Sequence, residues 1–452
     1  MDGDDFCYAA PVEGRKQTFW GRVPAAAIAK AIVVAIVIYG VLFVISWLSV
    51  GSDPVKEVAQ VRFAFDTAQL SKNDIEFANS RIGSHQFNDC LILDQVVTRA
   101  GSRVQMALTP ANDFANRYSG VCQELWATVI GGAHRQTFFY QNYIHGHTIV
   151  ARVLLNVLSI ASVRKLYQFT NYALVFAGIC LALFRLARRE RVSEAAFWLA
   201  MFVIYGRFYG LEFLGQSLGH GPADAVFLSY ALWLEIASFN GRSRDCTLPV
   251  AIFGALTMAF EFLTGGLPQG LALTVAGIAI AARHNVIRET MTSVIVFSAT
   301  VTAMIAIKLA LTVILFGPDA FASMTNDLAY RMSNSVAHDG QSPMTFEEAA
   351  RRVASGLGEM VGMSPFFAYM AIVLAVVIGV IAWVQLRETA WRKRALLIAA
   401  SNLVLIGWVV IFREHFYVHA WFMTRIFTWT IASGFGLFAI SLTQPQRRQS
   451  PS

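Results

Sequence analysis

Charged residues are scarce in this chain. Asp, Glu, Lys and Arg make up 14% of its 452 residues, whereas about 25% is usual for a soluble domain. This shortage excludes both a water-soluble enzyme and an intrinsically disordered protein, because each carries many more charges. The composition is instead 56% hydrophobic, and the apolar residues gather in runs long enough to cross a bilayer as helices. The sequence therefore predicts an all-α polytopic membrane protein.

The apolar runs predict about ten transmembrane helices. The first run, Val23–Val50, is too long for a signal-peptide core and lacks a small-residue cleavage site, which predicts a retained helix. Nine further spans are predicted at 166–186, 194–213, 225–239, 248–264, 268–283, 290–316, 365–386, 395–412 and 421–442. The predicted plan is a cytoplasmic N-terminus (1–22), a first span (23–50), a large outer loop (51–164), spans two to seven (165–316), a second outer loop (317–364), spans eight to ten (365–442) and a cytoplasmic tail (443–452).

The distribution of Lys and Arg predicts which segments face the cytoplasm. Seventeen Lys and Arg residues fall in the predicted cytoplasmic segments, and the three short outer loops carry one, Arg413. The positive-inside rule counts short loops in this way, so both termini are expected in the cytoplasm. The net charge of +7 is thereby explained without a nucleic-acid partner. The segment Ile149–Val163 is short and contains Arg152, which indicates an interfacial or re-entrant helix rather than a span.

The first outer loop has ordinary apolar content and helical patterns at Val55–Leu70 and Cys90–Val97, which predict a folded cap on the membrane. Of the five cysteines, only Cys90 and Cys122 face outward in this topology. Two thiols in an oxidising compartment favour a disulfide. The alternative is two unrelated buried cysteines, since free Cys packs as a small hydrophobe.

Histidines are concentrated on the predicted outer side. Eight of the nine lie there, at His85, His134, His145, His147, His220, His338, His415 and His419, and only His284 lies inside. The pairs His145-Gly-His147 and His415-x3-His419 raise the question of a metal site. The chain has no HExxH motif, so hydrogen bonding to phosphate or sugar is the favoured interpretation.

Ionisable residues within the predicted spans indicate an outward-facing polar cavity. They are Arg207, Glu212, Asp224, Glu235, Glu261, Lys308 and Arg425. Such residues are costly in a bilayer and often mark function, and all except Glu235 map to the outer halves of their spans. For any single residue the alternative is a structural ion pair, for example between Arg207 and Glu212.

A cavity of this kind suits a lipid phosphate. The cations expected to bind the phosphate are Arg152, Arg207, Lys308, Arg413 and Arg425. Transfer to a hydroxyl also requires a general base. The first outer loop supplies carboxylates at Asp53, Asp66, Asp74, Asp89 and Asp94.

Four local strings carry a resemblance to a known class. They are Phe87-Asn-Asp-Cys90, Tyr143-Ile-His-Gly-His147 with Arg152, Phe260-Glu-Phe-Leu-Thr264, and His415-Phe-Tyr-Val-His419 with Arg425. Together with the order of span, large outer loop and many spans, they resemble the GT-C class of integral membrane glycosyltransferases, and within it a group of uncharacterised bacterial proteins.

The resemblance implies an active site that faces the periplasm of a bacterial inner membrane. It implies a polyprenyl-phosphate-linked sugar donor and a glycan, glycolipid or protein acceptor. An Asp of the first outer loop would be the catalytic base: Asp89 first, Asp94 second and Asp53 in reserve. Members of the class differ in whether they need a divalent cation, so Mg²⁺ or Mn²⁺ is permitted without being required. The expected substrate-binding residues are His145, His147, Arg152, Arg207, Glu212, His220, Glu261, Lys308, Arg413, His415, His419 and Arg425.

Two other functions stay open at this point. A transporter or lipid flippase is the main alternative, although such folds often show inverted repeats and the sequence shows none. A membrane acyltransferase is the other, but the outward position of almost all histidines leaves a cytosolic acyl donor without a partner.

Overall fold

The computed structural model describes residues 25–74, 86–114, 120–131, 136–239, 245–260, 265–283, 285–332, 345–361, 364–386 and 388–444. Ten apolar helices form the main bundle, and each overlaps one of the ten predicted spans. Numbered in chain order, they are α1 (Ala25–Ser49), α7 (Ile160–Ala187), α8 (Val192–Phe208), α9 (Gly221–Phe239), α10 (Thr247–Phe260), α11 (Gly266–Ala281), α12 (Val286–Phe316), α15 (Pro365–Gln385), α16 (Thr389–Ile411) and α19 (Phe427–Thr443).

Six helical segments in the described part of the chain are long and apolar enough to cross a membrane. They are α1, α7, α12, α15, α16 and the run Ala420–Thr443 that ends in α19. Their exposed surfaces are rich in Val, Ile, Leu and Phe, as expected for helices in contact with lipid. The chain is therefore a multi-pass membrane protein.

The segment between α1 and α7 folds into a compact unit, which we call the outer unit. It contains α2 (Pro54–Asp66), α3 (Gln86–Val97), α4 (Arg103–Leu108), β1 (Ala111–Phe114), α5 (Val121–Val129), β2 (Gln136–Phe139) and α6 (Gly146–Leu155). The strands form an antiparallel ribbon in which Ala111 pairs with Phe139. Apart from this ribbon, which the sequence did not predict, the described chain is helical.

A disulfide between Cys90 and Cys122 joins α3 to α5, which confirms the predicted pairing. Around it, Leu93 and Leu125 are fully buried in an apolar core of the outer unit. The helical patterns predicted at 55–70 and 90–97 correspond to α2 and α3. The segment between α1 and α7 is thus folded around its own apolar core.

The segment 149–163 is not the single interfacial or re-entrant helix that the sequence predicts. Helix α6 ends at Leu155, and α7 begins at Ile160. The break has a local cause, because the Ser159 side chain accepts a hydrogen bond from Ser162 N and caps the new helix. The predicted loop boundary at residue 164 therefore lies inside α7.

Polar contacts attach the outer unit to the bundle. Arg103 donates to the carbonyl of Trp47 at 2.7 Å, and its guanidinium lies 4.0 Å from the Trp47 ring centroid. Lys308 of α12 donates to Leu108 O at 2.7 Å. These contacts satisfy carbonyls at the ends of α1 and α4, which have no partner within their own helices.

Short helices complete the outer end of the bundle. They are α13 (Asp319–Met332), α14 (Phe346–Val361), α17 (Arg413–Val418) and α18 (Ala420–Met423), followed by a 3-10 turn at Thr424–Ile426. Below them, α15 and α19 pack so closely that a Cβ on Gly434 would collide with the backbone of Ala375. Small residues allow such close approach of helices in lipid.

Candidate functional site

A three-part cavity lies where the outer unit meets α13 and α17. Its outer chamber, of about 570 Å³, lies among the α5 N-terminus, the β-ribbon, α13 and α17. Its inner chamber, of about 260 Å³, lies among α3, the start of α6, the end of α10 and α17–α18. A side groove of about 130 Å³ runs between α12 and α13. Arg331 lines all three parts.

The inner chamber brings together four of the predicted histidines, His147, His220, His415 and His419. The rings of His415 and His419 are 4.6 Å apart. These residues come from three distant parts of the sequence, so their convergence is a property of the fold. All four were among the residues expected to bind substrate, and the fold brings them to one chamber.

The environment of the chamber keeps three of its imidazoles neutral. Burial, with the nearby Arg331 and Arg352, lowers the pKa of His419 to about 3. Burial, with His220, lowers the pKa of His147 to about 4. The pKa of His220 is also lowered, chiefly by burial. These rings therefore act at neutral pH as uncharged hydrogen-bonding groups, not as cations for phosphate.

His220 is oriented by the outer unit. Asn88 Nδ2 of α3 lies 2.8 Å from His220 Nε2 and donates to it when that nitrogen is unprotonated. The His220 ring also lies 5.2 Å from the Phe422 ring, centroid to centroid. The chamber wall is thus shared between the outer unit and α18.

His145 lies behind the inner chamber without lining it. Its side chain is buried, and its backbone is in the left-handed region, with φ 61°. Its Nε2 is 2.7 Å from Tyr140 O. A Cβ on the following Gly146 would lie 2.9 Å from Ala259 O, so the turn packs tightly against α10. A left-handed histidine is a costly conformation, and here it places His147 in the chamber wall.

The outer chamber is rich in carboxylates, namely Asp74, Glu124, Asp327 and Glu414. Asp74 accepts hydrogen bonds from Val121 N at 3.0 Å and Cys122 N at 2.6 Å, which caps α5. Asp327 Oδ2 accepts from Asn142 Nδ2 at 2.6 Å. Glu414 has no hydrogen bond or ion pair with any other residue in the described ranges, so its carboxylate is available to a ligand.

Arg331 stands where the chambers and the groove meet. Its Nη1 lies 3.3 Å from His415 Nδ1, and its guanidinium is 5.4 Å from the centroid of the Tyr143 ring. Asp327 is one helical turn earlier on α13 and therefore shares its helix face. A guanidinium has five donors in a planar fork, so this arrangement can still bind an anion such as a phosphate.

The side groove presents a mainly apolar surface, with polar and charged residues at its margin. Besides Asn142, Asp327, Arg331 and Lys308, its lining is Ile144, Met258, Ile305, Leu309, Met324, Thr325 and Leu328. Its α12 residues, Ile305 to Leu309, lie 7 to 11 residues before the end of that helix. At 1.5 Å per residue this is roughly 10–17 Å below the helix end. An apolar groove at this depth suits a hydrocarbon chain.

None of the three predicted catalytic carboxylates lines this cavity. Asp89 is buried and ion-paired with Arg164, whose Nε lies 2.8 Å from Asp89 Oδ2. Its Oδ1 accepts hydrogen bonds from Ser217 Oγ at 2.9 Å and Leu218 N at 2.6 Å. Both oxygens are thus engaged in holding α3 against the bundle.

The other two aspartates also have structural partners. Asp94 is buried, and its Oδ2 accepts from Asp113 N of β1 at 2.9 Å. Asp53 is exposed at the start of α2, where its side chain accepts from Val55 N at 2.9 Å. These contacts cap or anchor backbone and leave neither carboxylate in the cavity wall.

The predicted cations are dispersed. Lys308 reaches the side groove, but its amine already donates to Leu108 O and to Thr109 Oγ1. Arg152 is buried and donates to Gln95 O. Arg425 is buried and forms a 2.8 Å ion pair with Asp224. The Arg425–Asp224 contact is a structural ion pair, which was the alternative interpretation for any charge within a predicted span.

Three of the remaining predicted residues do not line the three-part cavity. Arg207, Glu212 and Arg413 are exposed, and Glu261 lies outside the described residues. Arg331, Asp327 and Glu414 were not predicted as cavity residues, because they lie outside both the predicted spans and the first outer loop. The spacing of Asp327 and Arg331 on one face of an amphipathic helix was the available signal.

No cluster of three metal-ligating side chains occurs among the residues that the structure describes. Comparison with known proteins adds nothing further, since no family model, curated protein or solved structure matches this chain.

Proposed function

We propose that this protein is an integral membrane glycosyltransferase that takes a sugar from a polyprenyl-phosphate carrier. One observation supports this above all others: an apolar groove, an inner chamber that contains four histidines and an outer chamber that contains four carboxylates meet at Arg331. An amphiphile with a long hydrocarbon tail, a phosphate and a sugar matches that sequence of environments. The acceptor would be a cell-envelope glycan, glycolipid or protein.

In this proposal the carrier tail lies in the side groove and its phosphate binds Arg331. Arg binds phosphate through its planar fork, and low-dielectric surroundings strengthen the contact. The sugar lies in the inner chamber, where the neutral His147, His220 and His419 hydrogen-bond its hydroxyls. Lys308 shapes the groove and does not bind phosphate.

We assign the catalytic base to Glu414 in place of the aspartates of the outer unit. Its carboxylate removes the proton of the acceptor hydroxyl as that oxygen attacks C1 of the sugar. The C1–O bond to the carrier phosphate breaks, and the electron pair leaves with the phosphate, stabilised by Arg331. Attack opposite the leaving group inverts the configuration at C1.

The orientation follows from the same proposal. All ten apolar helices would cross the inner membrane of a bacterium, with both termini in the cytoplasm and the cavity facing the periplasm. The Cys90–Cys122 disulfide supports an oxidising location for the outer unit. The cation distribution supports it as well.

The proposal is tested by comparing a deletion strain with its parent. Mass spectrometry of lipid extracts should show accumulation of one polyprenyl-phosphate sugar, with loss of the same sugar from an envelope component. Complementation with Arg331→Ala should fail. Arg351→Ala is the matched control, since Arg351 is exposed on α14 in a surface ion pair with Glu347, and it should restore the wild-type pattern.

A lipid-linked-sugar flippase is the competing function, and purified protein separates the two. In proteoliposomes a glycosyltransferase releases carrier phosphate and forms a glycosylated acceptor. Movement of labelled donor across the bilayer without any transfer product would contradict the proposal.

A further inference from the structure

Asn112 of β1 is an unusual residue in the wall of the outer chamber. Its side chain is fully buried, yet neither the amide oxygen nor the amide nitrogen has a hydrogen-bond partner in the described structure. It also lines the chamber. Buried polar groups in folded proteins are nearly always hydrogen-bonded, so this amide points to a ligand that supplies both an acceptor and a donor.

A pair of neighbouring hydroxyl groups meets that need. One hydroxyl donates to the amide oxygen, and the other accepts from the amide nitrogen. The chamber also presents the rings of Phe138, Phe139 and Tyr140, whose apolar faces suit the C–H surface of a sugar ring. Its volume of about 570 Å³ falls in the usual range for small-molecule sites, about 300–1,000 Å³.

The charge of the chamber restricts which glycan can enter. Among the residues that the structure describes, its lining contains the carboxylates Asp74, Glu124, Asp327 and Glu414 and one arginine, Arg331. In the proposed reaction that arginine is occupied by the carrier phosphate. The remaining field is negative, and like charges in a partly enclosed site repel strongly.

We propose that the outer chamber is the acceptor subsite, and that it selects a glycan that is uncharged or carries amino groups and rejects an acidic one. Asn112 binds a hydroxyl pair of the acceptor and thereby places a further hydroxyl beside Glu414. This inference rests on the proposed glycosyl transfer, because it names the acceptor of that reaction.

The test is a binding measurement on the full chain in lipid nanodiscs that contain polyprenyl phosphate without a sugar, so that Arg331 is occupied and no transfer takes place. The probes are a neutral N-acetylglucosamine tetramer, its de-N-acetylated amino counterpart and a galacturonic acid tetramer. We expect the first two to bind and the acidic tetramer to bind at least tenfold more weakly. Equal or tighter binding of the acidic tetramer overturns the proposal.

Two variants keep the role of Asn112 falsifiable. Asn112→Ala and the bulkier Asn112→Leu should each weaken binding of the neutral and amino tetramers at least fivefold. The thermal midpoint of Asn112→Leu should stay at the wild-type value, because the amide has no protein partner to lose. Asn73→Ala changes an exposed asparagine of the same unit and should alter nothing. Wild-type glycan binding in both Asn112 variants overturns the assignment.

Binding of polyprenyl phosphate, measured in the same nanodiscs, separates this inference from the proposed function. Normal carrier binding in the Asn112 variants together with lost glycan binding is the expected result. Carrier binding and transfer with no preference against acidic glycans contradicts the acceptor proposal alone. Glycan binding without any carrier binding or transfer contradicts the glycosyltransferase proposal itself.

Discussion

Asp89 and Arg164 form a buried ion pair that joins α3 of the outer unit to α7 of the bundle. We predict that Asp89→Asn destabilises the protein, because Arg164 keeps its buried charge and loses its counter-charge. Breaking such a pair typically costs about 3–5 kcal/mol. Thermal unfolding of the protein in nanodiscs should show a lower midpoint.

Asp66→Asn is the matched control, since Asp66 is exposed at the end of α2, and its midpoint should not move. An Asp89→Asn protein with a wild-type midpoint and no transfer activity would return Asp89 to the role of catalytic base.

Substitution of Glu414 tests directly whether this carboxylate removes the proton of the acceptor hydroxyl. We predict that Glu414→Gln lowers the transfer rate by about 10²–10⁴-fold, the usual contribution of a general base, while carrier binding is kept. Glu388→Gln replaces an exposed glutamate that makes no side-chain cap bond at the start of α16 and should be fully active. Retained activity in Glu414→Gln, with loss in Asp327→Asn, would move the base to α13.

The elements that the sequence predicted well are those with local signals. Hydropathy locates ten apolar helices, and six of them belong to segments long and apolar enough to span a bilayer. The predicted topology left only Cys90 and Cys122 on the oxidising side of the membrane, and this indicated that they pair. The four chamber histidines were among the expected site residues because the topology placed them on one side, although their convergence needed the fold.

The parts that the sequence could not predict depend on contacts between distant residues. Arg331 becomes a site residue only because α13 folds against His415, 84 positions later in the chain. In the sequence Asp89 is indistinguishable from a free loop carboxylate, but in the fold it forms an ion pair with Arg164, 75 positions later in the chain. Residue type alone does not distinguish a catalytic carboxylate from one that anchors a helix.

The disulfide provides a redox test of the outer unit. Cross-links that close a loop of this size, with a sequence separation of 32, stabilise by about 3–4 kcal/mol in the chain-entropy model. We predict that a reducing agent lowers the unfolding midpoint of the wild type. A Cys90→Ser/Cys122→Ser variant should have the lower midpoint already and should not respond. A wild-type midpoint that is unchanged on reduction would contradict a stabilising disulfide.

Buried neutral histidines predict a loss of stability in acid. The pKa values of His147 and His419 are about 4 and 3 in the folded protein, below the unfolded value of about 6.5. Between these limits the unfolded chain binds more protons, so stability falls as the pH drops below about 6.5 and continues to fall toward the folded pKa. Each histidine contributes at most about 1.4 kcal/mol per pH unit.

Unfolding midpoints from pH 7.5 to pH 5 should therefore decline less in His419→Gln than in the wild type. Gln keeps a hydrogen-bonding side chain that cannot be protonated in this range. Equal slopes for the two proteins would show that His419 does not remain neutral in the folded state.

Two exposed positions at opposite ends of the bundle test the proposed orientation. Val157, between α6 and α7, is 79% exposed, and Thr389 is exposed at the start of α16. We predict that a membrane-impermeant maleimide labels Val157→Cys in cells whose outer membrane has been permeabilised, and labels Thr389→Cys only after the inner membrane is broken. Both variants are made in a background with Cys7, Cys180 and Cys246 replaced by Ser, so that labelling reports only the new thiol.

The cations Arg392, Lys393 and Arg394 next to Thr389 favour the cytoplasmic side for this end of α16. The reverse labelling pattern would place the outer unit and its cavity in the cytoplasm, where a periplasmic acceptor could not reach Glu414.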